Sequence, residues 1–240
     1  MIKFANIKPL LSFFAFTLAI PSSWAQERSS FFSLSLGPSF PAGNYASKDY
    51  DNYEAGWAQP GVSFDLLFNH KIGKGDFGVS LLSRGQVHMM DGQAFVNELD
   101  AKMPDTYWSI DGGVWSLSSL MFGGFGSIPV TKSTTFDPRI MVGFTSARLP
   151  DYTVLGAVNG SRFWVKQVST TAVAFSYMLG AGFKFNLGKK YALLTQLDYL
   201  GGAPEFSQVE ILTSSGDRSF DTWKQGTSTV NVMLGLGVRF

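Results

Sequence analysis

The 240-residue sequence contains no cysteine and only two histidines. The first absence excludes disulfides, thiol catalysis, cysteine zinc sites and a lipid-acylated N-terminal cysteine, and the second leaves too few ligands for a recognisable zinc centre. Charge is scarce: charged residues make up 15% of the chain and the formal charge is +1, so no nucleic-acid footprint is expected. After the first twenty residues no apolar run approaches the roughly 18 residues of a transmembrane helix. Helical periodicity is weak throughout, so any membrane span has to be made of strands.

Residues 1–25 read as a secretory signal peptide. Lys3 and Lys8 supply the basic start, residues 9–20 the apolar segment, and Pro21 closes it. Ser23 and Ala25 are small residues flanking Trp24, which suits cleavage before Gln26 and leaves 26–240 as one domain. Removal of residues 1–25 takes away two lysines and moves the formal charge from +1 to −1.

Apolar and polar residues alternate with period two over segments near 31–40, 59–69, 76–90, 107–125, 134–148, 169–185, from 190, and 227–240. The sixth is the clearest: Val173, Phe175, Tyr177, Leu179, Phe183 and Phe185 oppose Ala174, Ser176, Gly180, Gly182 and Lys184. The third is interrupted at Leu82 and Ser83, and the fourth is ambiguous in register, which a bulge near Ser116–Ser119 would explain. The connections 41–58, 91–106, 149–168 and roughly 203–226 are long and polar, whereas 70–75, 126–133 and 186–189 are short. An even number of antiparallel strands with alternately long and short connections is the plan of a closed up-and-down transmembrane β-barrel, here of eight strands. A soluble barrel would need a charged outer face; here one face is large and apolar and the other is mostly Gly, Ala, Ser and Asn, which suits a narrow lumen against lipid. Aromatics near the strand ends, Trp57, Tyr107, Trp108, Trp164 and Trp223 on one side and Phe31, Phe77, Phe185 and Tyr191 on the other, suit two membrane interfaces.

The last residues carry a further pattern: Val232, Leu234, Leu236, Val238 and a final Phe240, apolar at every second position. This segment resembles the terminal strand of bacterial outer-membrane barrels, and the chain is similar in plan to the small eight-stranded family typified by OmpX and the membrane domain of outer-membrane protein A. The resemblance implies that the barrel-assembly machinery reads this strand and inserts the protein into the Gram-negative outer membrane, in contact with lipid and lipopolysaccharide. It is specific for location and weak for activity.

Charges on the small-residue face are the most informative set. Arg84, Arg139, Lys184 and Arg239 stand against Asp65, Asp111, Asp137 and Asp198, four of each sign, with His88 as the single strand histidine. Buried charges have to be paired, so an internal ion-pair network that plugs the barrel is expected. A narrow polar pore for ions or apolar solutes is the alternative. A lipid A-modifying enzyme is a third reading; it needs a nucleophile and base within hydrogen-bond reach and open to substrate, and His88 lacks a short serine motif beside it. No catalytic, metal or cofactor constellation emerges. The outer loops are acidic on balance, and the short turns are basic, with Lys71, Lys74, Lys132, Lys189 and Lys190 against Asp76. Val209, Ile211, Arg218 and Phe220 flank the turn signal Ser214–Asp217, which predicts a hairpin projecting beyond the membrane, with an edge able to pair with a surface ligand. The expected protein is a monomeric cell-surface barrel with a structural or interaction role.

Overall fold

The computed structural model describes residues 29–73 and 75–240; the expected signal peptide, with Ser23 and Ala25, and Lys74 lie outside the described residues. Eight strands form the barrel wall: β1 (Ser30–Ala42), β2 (Gly61–Lys71), β3 (Phe77–Met89), β5 (Val114–Gly126), β7 (Thr134–Arg148), β10 (Thr171–Leu187), β11 (Tyr191–Gly202) and β14 (Ser228–Arg239). Each pairs antiparallel with the next, and β14 pairs back onto β1 from Phe31 opposite Arg239 to Ala42 opposite Ser228, closing the sheet. A two-residue strand, β6 (Ile128–Pro129), folds one turn onto the foot of β7.

Alternation carries each wall strand's residues to opposite sides. On β1, Ser33, Ser35 and Ser39 are buried while Phe32, Leu34, Leu36 and Phe40 are exposed. On β10, Val173, Phe175, Tyr177 and Leu179 are exposed and Ser176, Met178 and Lys184 are buried. The strands are therefore inside out relative to a soluble protein: large apolar side chains form a belt around the wall and polar ones fill the middle. Such a belt is stable only against hydrocarbon, and hydrocarbon in turn forbids an open sheet edge. On β3 the strict alternation runs unbroken through Leu82, which is buried, and Ser83, which is exposed. Leu82 joins Leu67, Met121, Met141, Met178 and Leu200 in an apolar layer inside the barrel.

The fourth segment differs from its sequence reading. The ladder between β3 and β5 is continuous from Met89–Val114 to Phe77–Gly126, so no bulge occurs at Ser116–Ser119. The ambiguity came from Ser116 and Ser118, hydroxyl residues on the outward face. The break lies earlier, at Gly112 and Gly113, whose φ values of 93° and 109° only glycine adopts readily. It separates β4 (Tyr107–Gly112) from the wall.

Beyond the wall, the long connections build a second sheet from β4, β8 (Tyr152–Val158), β9 (Ser161–Gln167), β12 (Glu205–Thr213) and β13 (Arg218–Lys224), in the order β13-β12-β9-β8-β4. The hairpin expected at Ser214–Asp217 is present, but its strands do not simply prolong β11 and β14. They join this separate sheet, with Ile211, Leu212 and Thr213 paired to β9. The β4 side is flanked by helix α1 (Gly92–Lys102), whereas β13 has no strand on its far side among the described residues.

Two of the expected interface aromatics are buried instead. Trp57 is buried edge-on to Phe95 of α1, with ring centroids 5.0 Å apart. Phe31 is buried and faces inward, beneath the Lys184 ammonium. Phe77, Phe185 and Tyr191 are exposed at the foot of the wall.

Because the belt meets acyl chains, Val142→Arg on β7 is expected to lower unfolding stability by about 2–4 kcal/mol in lipid or detergent, whereas Tyr107→Arg in the outer sheet should shift it by less than about 0.5 kcal/mol. Denaturant titration of the heat-modifiable folded form measures both.

Candidate functional site: the barrel interior

The inward positions of four strands converge on one chain of charges. Arg84 on β3 stands opposite Asp65 on β2 and donates to it twice, Nε to Oδ1 at 2.7 Å and Nη2 to Oδ2 at 2.6 Å. The same Nη2 reaches Asp198 on β11 at 2.7 Å. Arg139 on β7 also donates to Asp198, from Nε to Oδ1 at 2.9 Å and from Nη2 to Oδ2, the oxygen that Arg84 reaches, at 2.6 Å, and to Gln196 at 3.0 Å. The Arg84 and Asp198 side chains are both 0% exposed. Two guanidiniums and two carboxylates thus neutralise each other in the buried interior, with the planar forks of arginine matched to carboxylate oxygens. Gly180, opposite Asp198 in the ladder, leaves the room this requires: a Cβ there would run into the Asp198 carboxylate and press on Arg139.

Towards the outer end the network becomes neutral. Gln86 donates to Ser39, Thr229 and Asn231 at 2.8–3.0 Å. His88 is fully buried, with Nδ1 3.0 Å from the Gln59 carbonyl and Nε2 3.2 Å from the Ser39 hydroxyl. A carbonyl only accepts, so Nδ1 carries the proton and Nε2 accepts from Ser39. This serine–histidine pair escaped sequence reasoning because 49 residues separate its members. The ring's other nitrogen meets a backbone oxygen rather than a carboxylate, and Tyr45 packs edge-on against it with ring centroids 5.3 Å apart. Above it Tyr45, Trp115, Leu117, Phe206 and Val209 form an apolar cap, with Trp223 packed against it.

Towards the inner end, Lys184 donates to Asp137 at 2.7 Å and to Ser127 at 3.2 Å. Arg239 donates to the Asn186 side chain and has no carboxylate within ion-pairing distance among the described residues. Asp111 has to be corrected: it is exposed on β4 opposite Thr153 in the outer sheet, not in the lumen. The Gly112–Gly113 break resets the alternation, so counting parity across it assigned Asp111 to the wrong place. Its removal leaves the expected inward set one negative charge short. Sequence reasoning placed Leu67, Gln86 and Gln196 on the inward face; the residues it missed are the other five of the apolar layer, Leu82, Met121, Met141, Met178 and Leu200, whose inward parity was the available signal, masked by their type.

The outer connections are tied by charge as well. Lys48 of the first loop bonds Asp91, the N-cap of α1, and Lys102 at the helix end reaches Asp51 at 2.7 Å. Burial acts to raise the Asp91 carboxyl, but the Lys48 ammonium, the Ala94 amide and the Gln59 side chain together hold it below its ordinary value. A carboxyl depressed in the folded state contributes stability at neutral pH that is lost as pH falls through its folded value. Amide protection in α1, taken relative to the intrinsic exchange rate at each pH, should therefore fall on acidification below the usual carboxylate range, and Asp91→Ala should lower it likewise at pH 7. In the lumen, Asp198→Ala, which strands two buried arginines, is expected to cost about 3–5 kcal/mol, while Asp111→Ala should stay within about 0.5 kcal/mol.

No family model matches the chain, and no curated protein does. Among solved structures, a major outer membrane protein from Thermus thermophilus superposes with a TM-score of 0.50 at 11% identity, over 88% of this chain and 99% of that one. Ail, the attachment invasion locus protein of Yersinia pestis, gives 0.44 at 16% identity over 88% and 99% of the two chains. Neisserial surface protein A gives 0.43 at 9% identity over 88% and 97%. These identities speak for architecture alone, and the architecture is that of the small eight-stranded outer-membrane β-barrels.

Proposed function

We propose that this chain is an integral outer-membrane barrel with a structural or cell-surface interaction role, whose lumen does not conduct and whose outer sheet is the interacting element. The observation that carries this reading is the fully buried Arg84–Asp65–Asp198–Arg139 chain, flanked by the apolar layer of Leu67, Leu82, Met121, Met141, Met178 and Leu200. An ion crossing the barrel would have to separate paired buried charges and then pass an apolar constriction, each step costing several kcal/mol. The outer sheet, by contrast, is anchored at many points and leaves the β13 strand, Arg218–Lys224, with unpaired backbone groups facing outward, a surface suited to strand addition by an extended segment of a ligand. The buried His88, sealed from lipid and solvent and lacking a carboxylate on Nδ1, argues for a non-enzymatic role.

Planar-bilayer recording separates this reading from a pore. The expected trace shows no steady channels for the wild-type protein, and steady nanosiemens-scale conductance would defeat the proposal. Bacteria displaying the protein are also expected to lose ligand adhesion on Thr222→Pro, which removes the amide that donates to the Asp221 side chain and sets a proline ring into the β13 edge, while retaining the heat-modifiable fold.

A further inference from the structure

The inner mouth of the barrel holds a cavity of about 320 Å³. Among the described residues its lining contains three cationic side chains, Lys71, Lys184 and Arg239, and no carboxylate side chain. The imbalance is not visible in the chain as a whole, whose formal charge is +1, and it arises from where the strands end. Lys71 is the last residue of β2 and Arg239 the last of β14, both at inward parity. Lys184 projects from β10 and feels the like charges of the other two. Of the carboxylates nearby, Asp137 lies to the side of the cavity and serves Lys184, while Asp76 is 3.9 Å from Lys71 and 55% exposed, a weakly screening partner. Arg239 is in no ion pair among the described residues: it hydrogen-bonds the neutral Asn186 oxygen, and the Asp137 charge acts on it from farther off. At the rim the Phe240 backbone oxygen accepts from the Ser30 amide at 3.2 Å.

Converging cations with one arginine fork left without an anion are the usual protein arrangement for an oxyanion. Hydroxyl and amide donors complete it: Ser127 and Asn186 line the cavity, and so does Thr135, whose buried hydroxyl has no hydrogen-bond partner. The floor above is closed by Phe31 and Phe125, which limits the depth and favours a compact ligand. We propose that this mouth is a binding site for a phosphate-class oxyanion, either a free phosphate or phosphomonoester in the periplasm or the phosphate of a lipid headgroup at the inner leaflet. Lys71 and Lys184 supply charge, Arg239 supplies the two-pronged contact and Thr135 a hydroxyl donor. The site is independent of the outer-sheet function, because the buried charge chain and apolar layer stand between them.

The test uses the full mature barrel in phosphatidylcholine nanodiscs, titrated with inorganic phosphate and followed by phosphorus NMR line broadening. Saturable binding is expected, weakened about tenfold or more by Arg239→Gln and in the same direction by Lys71→Gln. Lys132→Gln, in the β6–β7 turn and outside the lining, is expected to leave it unchanged. A second arm uses nanodiscs containing phosphatidylglycerol and native mass spectrometry of the extracted barrel. Phosphatidylglycerol retained in an Arg239-dependent way, with loss of the inorganic phosphate signal, assigns the headgroup as ligand; an unchanged phosphate titration assigns the free anion. Should Arg239→Gln fail to show the heat-modifiable gel shift, Lys71→Gln alone decides. The proposal is overturned if phosphate binds wild type and variants equally, or if neither phosphate nor phosphatidylglycerol binds in a manner dependent on these residues.

Discussion

A hydrocarbon environment offers the backbone no hydrogen bonds, and nearly everything else in this protein follows from that constraint. The wall has to close, so β14 returns to β1 and every wall strand has two partners. Closure at eight strands leaves an interior only wide enough for side chains. Whatever polar groups point inward are then cut off from water on both sides and have to satisfy one another. The Arg84–Asp65–Asp198–Arg139 chain meets most of that requirement at the centre of the barrel, leaving Arg84 Nη1 without a partner among the described residues, and Gly180 is the vacancy that lets it fit.

The two ends of the barrel solve the same problem in different ways. At the outer end the cap of Tyr45, Trp115, Leu117 and Phe206 withdraws the lumen from solvent, and the connections above it gain their own sheet and helix. There the backbone is tied by ion pairs between loops, Lys48 with Asp91 and Lys102 with Asp51. At the inner end the turns are short, no cap forms among the described residues, and cations at the strand ends open onto a cavity. An outer sheet and a basic mouth, with the buried charge chain and the apolar layer between them, make the molecule two-sided.

Period-two alternation made the wall legible from sequence: the inward and outward faces of β1, β2, β10, β11 and β14 follow from residue type alone. So does the inward placement of Asp65, Arg84, Asp137, Arg139, Lys184, Asp198 and Arg239, since a charge among lipid-facing neighbours would be costly. Which charge meets which was not legible, because Arg84 and Asp198 are separated by 114 residues and the pairing depends on strand stagger around the closed wall. Asp111 failed for a local reason, the double glycine that ends β4 and restarts the count. Apart from Leu67, whose inward place was legible, the apolar lumen layer was hidden because Leu82, Leu200 and the methionines look like outward residues in the wrong register. The outer sheet was only half visible: the Ser214–Asp217 turn marked one hairpin, but the joining of β12 to β9 rests on three residue pairs that no local signal announces.

The sorting of faces is the claim on which all of this rests, and the absence of native cysteine makes it directly measurable. Single cysteines placed in turn at positions 174 to 179 of β10 can carry a spin label, with collision rates read against oxygen dissolved in the bilayer and against a water-soluble nickel reagent. Labels at Phe175, Tyr177 and Leu179 are expected to show high oxygen accessibility, and labels at Ala174, Ser176 and Met178 low accessibility to both reagents. A period other than two, or nickel access at the even positions rising to the level of an open channel, would contradict a lipid-belted wall around a sealed interior.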